Sequence, residues 1–343
     1  MTMTPDYIPP FYYPTTVLFV DDNAAFLANL SLQLSGGLAY RLHSSPLDAL
    51  LEINAPASGA PAARRYFSLG GDTGAQPLWR HAIDLHLDKI HREVHNERRF
   101  GQIAVAVVDF DMPEIDGLAF CRNIKSPAVK KLLLTGKADE KIAVKAFNQG
   151  IIDRFIMKHE SDATARLNQA IAELQCAHFR QSERMLADAL SIGTHDFLCD
   201  PGFAGVFRDI RQQLRIVEFY ATANPQGLLM LDGDGAAFLL VVQTEDDLLS
   251  QYEIAFDQAA PPALLDALKS GEVVPYFWQG AGHYHPGCTN WRACLHPARQ
   301  FRGKRWYAYA VIPNPPAFKL DTVVSFHAFL EHFDHGEPKS GVH

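Results

Sequence analysis

The sequence has no long apolar run. No stretch approaches the ~18 uninterrupted apolar residues that a membrane-spanning helix needs, and the first residues lack both the basic start and the apolar segment of an export signal. Cysteines are few, scattered and odd in number, which argues against a disulfide framework. They are Cys121, Cys176, Cys199, Cys288 and Cys294. We therefore expect a cytoplasmic protein with reduced thiols and no membrane partner.

The chain also lacks an excess of positive charge. It carries 31 Lys and Arg residues against 39 Asp and Glu residues, a net charge of −8, and from Asp200 onward the count is 11 against 16. Binding to nucleic acid through its phosphates needs clustered cations, and no helix-turn-helix pattern with a basic second helix is visible. DNA is therefore not an expected partner.

Familiar catalytic motifs are missing from the second half. It contains no phosphate-binding loop, no GGDEF-type or EAL-type signature and no catalytic Cys/His motif, and LDGDG at Leu231–Gly235 joins two apolar runs as a hairpin turn. The sequence thus predicts no enzyme, and it leaves catalysis by the C-terminal half open. At ~150 residues per domain, 343 residues correspond to two domains.

In the first half, short apolar runs alternate with helical patterns, which predicts an α/β fold with a doubly wound, five-stranded parallel sheet. One helix opens at Ser45-Pro46, and its spacing predicts that Leu47, Leu50 and Leu51 face inward. The predicted strands are Thr16–Val20, Tyr40–His43, Ile103–Val108, Lys131–Thr135 and Arg154–Met157.

Polar residues lie at the carboxyl ends of four of these strands: Asp21, Asp22, Asp109, Thr135 and Lys158. Because parallel strands end at the same edge of a sheet, we expect these side chains to meet there. Crowded carboxylates favour a hard divalent cation such as Mg²⁺, and a carboxylate can attack a phosphoryl group. Each residue taken singly has a plainer interpretation, as a helix cap or a solvated strand end; their convergence favours phosphoryl chemistry.

The motifs VLFVDDN, VVDFDMPEIDG, LLLTG and FIMK resemble, in order and position, the receiver domain of two-component response regulators over about Thr16–Leu174. The resemblance implies a flavodoxin-like fold, a phosphorylation-switched function and a sensor histidine kinase or phosphotransfer protein as partner. It also implies residue roles. Asp109 corresponds to the phosphoacceptor, Asp21, Asp22, Asp109 and the Asp111 carbonyl to the Mg²⁺ ligands, Thr135 and Lys158 to the phosphoryl-binding pair, and Phe155 to the switch aromatic.

Two features depart from the family pattern. His159 follows Lys158 where the family usually has a proline, so we expect a rearranged or trans loop there. Residues 55–101 form an insertion where such connections normally take ~2–6 residues, and its second part predicts a helix over Leu78–Phe100, for packing or dimerisation. The predicted domains are a receiver over 14–175, a connector helix over 161–195 and an α+β output domain over 200–335.

The order predicted for the output domain is a helix over Phe203–Tyr220, two strands, two helices and three antiparallel strands, which is similar in topology to a PAS sensor fold. A group of metal-capable side chains lies in this domain, and it predicts either a structural metal site or, more simply, core and surface packing. The group consists of His283, His285, Cys288, Cys294 and His296.

Three functions stay open on these grounds. The first is a response regulator whose output domain binds a protein partner or forms a homodimer. The second is a phospho-regulated ligand or metal sensor with a PAS-like domain. The third is a transcription regulator, which the acidic output domain opposes.

Overall fold

A computed structural model describes residues 7–55, 66–69, 83–136, 140–191 and 195–333. Within them, two sheets carry most of the architecture: a five-stranded parallel sheet and a six-stranded antiparallel sheet. No helix in the described ranges is both long and apolar enough to cross a membrane.

The parallel sheet has five strands, as the alternating pattern predicts. Its central strands are buried on both faces, which explains their nearly unbroken apolar sequences. In their order across the sheet, the strands are β3 (Tyr40–His43), β2 (Thr16–Val20), β6 (Ile103–Asp109), β7 (Lys130–Thr135) and β8 (Arg154–Met157). The helices around it are α1 (Ala24–Ser31), α2 (Pro46–Ile53), α4 (Gly117–Asn123), α5 (Glu140–Asn148) and α6 (Ala163–Ser191).

Helix α2 begins as predicted, with Ser45 accepting a hydrogen bond from the Asp48 amide and Pro46 in the first turn. The prediction of its buried face was wrong at two positions, because Leu47 is 55 % and Leu51 73 % exposed. The helix instead buries a face that includes Ala49 and Ile53. A small alanine lets the helix lie close to the sheet, and this choice of face is not visible in the apolar spacing alone.

The insertion differs from its prediction too. The helix expected over Leu78–Phe100 is replaced by strand β5 (Ile83–Leu85), helix α3 (Leu87–Arg92) and a 3₁₀ turn over Glu93–His95; residues 78–82 lie outside the described ranges. Strand β5 pairs with β4 (Phe67–Leu69). Ile90 and Val94 are buried in the same core cluster as Phe219 and Tyr220 of the antiparallel sheet, so the insertion packs on the C-terminal half.

The antiparallel sheet has the order β1-β9-β10-β11-β15-β14. Its first strand comes from the N-terminal segment, where Phe11 pairs with Tyr220. The members are β1 (Phe11–Tyr12), β9 (Ile216–Thr222), β10 (Gly227–Asp232), β11 (Ala237–Thr244), β14 (Arg299–Arg302) and β15 (Trp306–Pro313). A separate pair consists of β12 (Val273–Pro275) and β13 (Leu295–Pro297). The helices of this half are α7 (Pro201–Gln213), α8 (Glu245–Asp257), α9 (Pro262–Ser270) and α10 (Phe326–His332).

The helix predicted over Phe203–Tyr220 was wrong in its second part. Helix α7 ends at Gln213, Arg215 takes a positive φ of 52°, and the chain continues as strand β9. The β-branched and aromatic residues of IVEFYAT favour a strand, but they follow the apolar helical stripe without a glycine or proline between. Three strands therefore precede α8, and the predicted order of two strands, helices and three strands does not hold.

Helix α6 joins the two halves. Leu167 and Leu174 are buried against the parallel sheet, whereas Phe179, further along, belongs to the core of the antiparallel sheet. The helix spans Ala163–Ser191, within the range 161–195 predicted for a connector helix. One continuous helix therefore packs in both hydrophobic cores and connects them.

A buried ion pair ties the insertion to the antiparallel sheet. Arg99 Nε and Nη2 donate to Glu218 of β9 at 2.8 and 3.0 Å, and both side chains are fully buried. The Tyr220 hydroxyl donates to Glu218 at 2.6 Å, and Arg99 Nη2 also donates to the Val324 carbonyl at 2.7 Å. The charges are thus compensated by several bonds, as burial requires.

Candidate functional site

The carboxyl end of β2 supplies two carboxylates. Asp21 is buried and accepts a hydrogen bond from the Asn23 amide at 2.9 Å, while Asp22 is exposed at the mouth of the site. Asn23 caps α1 by accepting a bond from the Phe26 amide. The sharp change from strand to helix therefore holds Asp21 in place at the edge of the sheet.

The neighbouring strand β6 supplies Asp109, whose side chain is 11 % exposed. Its Oδ1 accepts hydrogen bonds from the Phe110 amide at 2.8 Å and from Lys158 Nζ at 2.9 Å. Burial raises the pKa of Asp109 above its ordinary value, and the bond from Lys158 offsets this only in part. Asp109 is a carboxylate in a confined site rather than a solvated one.

Lys158, directly after β8, bridges the two buried carboxylates. Its Nζ lies 2.7 Å from Asp21 Oδ2 and 2.9 Å from Asp109 Oδ1. Burial disfavours the charged form of Lys158, but the bonds to Asp21 and Asp109 outweigh it and raise its pKa. The lysine therefore stays charged beside the two acids.

The three carboxylates form a trio with one oxygen each within 4.8 Å of one another, and it is the one such metal-capable trio in the described residues. One ammonium against three carboxylates leaves a formal charge of −2, which a divalent cation balances. Oxygen ligands of this kind suit a hard ion such as Mg²⁺. The donor set therefore fits the predicted magnesium site.

The other predicted site residues lie around this trio. Thr135 is completely buried, its hydroxyl donates to the Gly136 carbonyl at 3.2 Å, and its own carbonyl accepts a bond from the Lys158 amide at 2.9 Å. Phe155 is half-buried against the core beneath α4 and α5. Asp111 is exposed in the loop after β6. The cis peptide bond of the described residues is Asn224-Pro225, so the bond between Lys158 and His159 is trans.

Two residues that help to position the site were not predicted from the sequence. The centroid of the Phe26 ring lies 4.2 Å from Lys158 Nζ, a cation–π contact that favours the charged ammonium. Gly117, the last residue of the VVDFDMPEIDG motif, packs so closely that a Cβ would lie 2.2 Å from the Asp109 carbonyl oxygen. The DG spacing of the motif signals the glycine, but no sequence pattern signals Phe26.

The C-terminal histidines and cysteines are not brought together in the same way. Cys288 Sγ and Cys294 Sγ approach to 3.8 Å within an apolar cluster, and burial raises the pKa of Cys294 to about 12. His285 accepts a bond from the Gly287 amide, His283 is exposed, and His296 lies beside Tyr276. Within the described ranges these five residues supply no trio of close ligand atoms.

The chain matches the family model for the response regulator receiver domain over residues 88–172. The match covers the strand that carries Asp109 and the residues Thr135 and Lys158; it begins beyond Asp21 and Asp22, which the insertion separates from Asp109 in sequence. The fold brings them back to Asp109. No curated protein gives a significant match.

One solved structure is similar over almost the whole chain. The Legionella pneumophila response regulator LqsR is 38 % identical, with 97 % of this chain and 99 % of that chain covered at a TM-score of 0.77. An adenylate cyclase structure from Rhodopirellula baltica matches 50 % of this chain and 95 % of its own at 20 % identity, with a TM-score of 0.34. A receiver domain protein from Clostridium thermocellum matches 49 % and 97 % at 17 % identity, with a TM-score of 0.31.

Proposed function

The chain belongs to the response regulators, and from this premise we propose that Asp109 accepts a phosphoryl group and that the modification controls the C-terminal half. A receiver domain implies exchange with a histidine kinase or phosphotransfer protein. The observation that carries the proposal is the trio Asp21, Asp22 and Asp109 with Lys158 bridging two of its members.

Asp109 has the geometry of a nucleophile. Its Oδ1 is held by the Phe110 amide and Lys158, which fixes the carboxylate plane and leaves Oδ2 to attack. An electron pair of Oδ2 forms the bond to phosphorus, and the bond from phosphorus to the donor's bridging atom breaks, with the donor keeping that pair. The product is an acyl phosphate on Asp109.

The surrounding charges meet the needs of this transfer. Phosphoryl transfer spreads negative charge over the phosphoryl oxygens, so catalysis rests on positioning and on charge stabilisation. Lys158 supplies a fixed cation beside Asp109, where the phosphoryl group would be bound. Asp21, Asp22, Asp109 and the Asp111 carbonyl would hold Mg²⁺, which neutralises phosphoryl charge when bound. The Thr135 hydroxyl would turn from the Gly136 carbonyl to a phosphoryl oxygen.

The same contacts suggest how the modification is transmitted. A phosphoryl group on Asp109 competes with Asp21 for Lys158, and the segment after Lys158 leads directly into α6. Because α6 is packed in both cores through Leu174 and Phe179, a shift at its start is carried to the antiparallel sheet. We assign this sheet and its helices the output role, through a protein partner or a homodimer.

The test is phosphorylation in solution. The purified chain is incubated with Mg²⁺ and acetyl phosphate, and intact mass is followed over time for wild type, Asp109→Asn and Asp116→Asn. Asp116 is the matched control, since it lies in the same loop region and caps α4 through the Ala119 amide. We expect an adduct on wild type and on Asp116→Asn, none on Asp109→Asn, and none when Mg²⁺ is chelated.

An adduct of equal yield on Asp109→Asn would contradict the assignment. So would an adduct that forms equally well without Mg²⁺, because the carboxylate trio would then have no part in the transfer. The oligomeric state, measured on the same samples, separates a dimerising output from one that acts on another protein.

A further inference from the structure

Helix α8 of the C-terminal half presents an apolar stripe to solvent. Leu249 is 55 % and Phe256 61 % exposed, although both are large apolar side chains. They lie seven residues apart, two helical turns on one face, and Tyr252 lies between them with its ring stacked on Phe256 at 6.3 Å. The stripe is about 10 Å long at 1.5 Å per residue.

Tyr252 is half-buried against a core cluster, but the exposed Leu249 and Phe256 are not the residues that hold α8 in the fold. An adjoining side of the helix buries Leu248, Gln251 and Ala255, and Gln251 donates to the Gly282 carbonyl at 2.9 Å. Its start is fixed by a capping box between Thr244 and Asp247. The helix is therefore anchored without Leu249 and Phe256, which remain available for another surface.

A line of carboxylates runs beside the stripe. Asp246, Glu253 and Asp257 follow the spacing of one helical face and are exposed. Within Glu245–Asp257 the sequence EDDLLSQYEIAFD contains no lysine, arginine or histidine. The surface thus combines an apolar seam with one sign of charge along its edge.

The apolar seam and the carboxylates beside it limit which kind of partner can bind this surface. Carboxylates beside the seam disfavour nucleic acid and anionic lipid surfaces, which carry the same charge. A second copy docked through the same face would bring like-charged lines together. An amphipathic helix with leucine-type residues along its seam and lysines or arginines at its flanks satisfies both features, as in paired helices with opposite flanking charges.

We infer that the Leu249–Phe256 face of α8 is the docking surface for a basic amphipathic helix of a partner protein. The inference extends the proposed protein-binding output. It concerns a surface that is present without phosphorylation, so a failure of the Asp109 assay and a failure here are separate results.

The experiment uses the full, unphosphorylated chain and a synthetic probe. The probe is a fluorescent helical peptide of about three heptads with leucine at its seam and lysine at its flanks, and a matched probe carries glutamate in place of lysine. Binding is measured by fluorescence anisotropy for wild type, Leu249→Ser/Phe256→Ser and Leu47→Ser/Leu51→Ser. The last is a stringent control: Leu51 is 73 % exposed on α2, but the neighbouring Glu52 is paired with Arg41 and His43.

We expect the lysine probe to bind wild type and the α2 variant with the same affinity. Its affinity for the α8 double variant should be at least tenfold lower. On wild type, it should bind more tightly than the glutamate probe. The substitution Glu253→Lys, at an exposed position, should weaken binding of the lysine probe and strengthen binding of the glutamate probe. Equal binding of the lysine probe to the α2 and α8 variants would overturn the inference. So would conversion of a dimer to a monomer by Leu249→Ser/Phe256→Ser in light scattering, because the occupant would then be a second copy.

Discussion

Acidification should destabilise the folded chain through His178, which lies on α6 where the two halves meet. His178 Nδ1 donates to the Ala128 carbonyl at 2.8 Å, and Nε2 faces the Gln102 amide nitrogen at 3.1 Å. Gln102 in turn accepts a bond from the Tyr13 hydroxyl at 3.1 Å. This network uses the neutral ring, with one nitrogen as donor and the other as acceptor.

The size of the effect follows from the pKa. Burial lowers the pKa of His178 from 6.5 to about 4. Between those two values the unfolded chain binds a proton that the folded chain excludes, so stability is lost as the pH falls through this window and is unaffected above it. At pH 5 the loss is roughly 2 kcal/mol, and the full loss below pH 4 is about 3.4 kcal/mol at ~1.4 kcal/mol per unit.

The assay is urea unfolding of wild type and His178→Gln at pH 7.5 and pH 5. His178→Gln should be less stable than wild type at pH 7.5 because the substitution disturbs the hydrogen-bond network. The glutamine does not take up a proton on unfolding at pH 5. We therefore expect the free-energy difference between wild type and variant to shrink by roughly 2 kcal/mol at pH 5. Exchange of the exposed His332 for Gln is the control and should leave the pH dependence of wild type intact. A difference that is the same at both pH values would refute the reasoning.

Three further outcomes are expected. Arg99→Met leaves Glu218 buried without its cation and should cost about 3–5 kcal/mol in urea unfolding; a cost below about 1 kcal/mol would show that the pair is not the tie described above. Gly117→Ala forces a methyl group against the Asp109 carbonyl and should cost about 1–3 kcal/mol while slowing adduct formation; an unchanged unfolding midpoint would contradict the close packing. Lys158→Met should slow adduct formation by acetyl phosphate at least tenfold, with partial recovery in Lys158→Arg, as judged by time-resolved intact mass; an unaltered rate in Lys158→Met would remove the lysine from the transfer.

The set of polar residues at the carboxyl edge of the parallel sheet could be predicted, because it depends only on where the strands end. Buried runs that end abruptly at Asp21, Asp109 and Lys158 indicate where strands stop, and parallel strands stop at the same edge. The structure places Lys158 Nζ within hydrogen-bond distance of both Asp21 and Asp109. The roles of Asp109 and its neighbours in phosphoryl transfer are predictions that follow from the resemblance of the four motifs to receiver domains.

Tertiary choices could not be predicted in the same way. The apolar spacing of α2 is compatible with two faces, and the small Ala49 decided between them. Arg99 and Glu218 are 119 residues apart, and nothing local indicates that they pair. Strand β9 continues the apolar pattern of α7 without a break signal, since the positive φ of Arg215 falls on a residue that seldom marks a turn.

The most direct test of the central claim is the position of the phosphoryl group. After incubation with Mg²⁺ and acetyl phosphate, borohydride reduces an aspartyl phosphate to homoserine, and peptide mass spectrometry locates the reduced residue. The account predicts homoserine at position 109, in place of Asp109, and nowhere else in wild type. Reduction at another aspartate, with Asp109 unchanged, would contradict it.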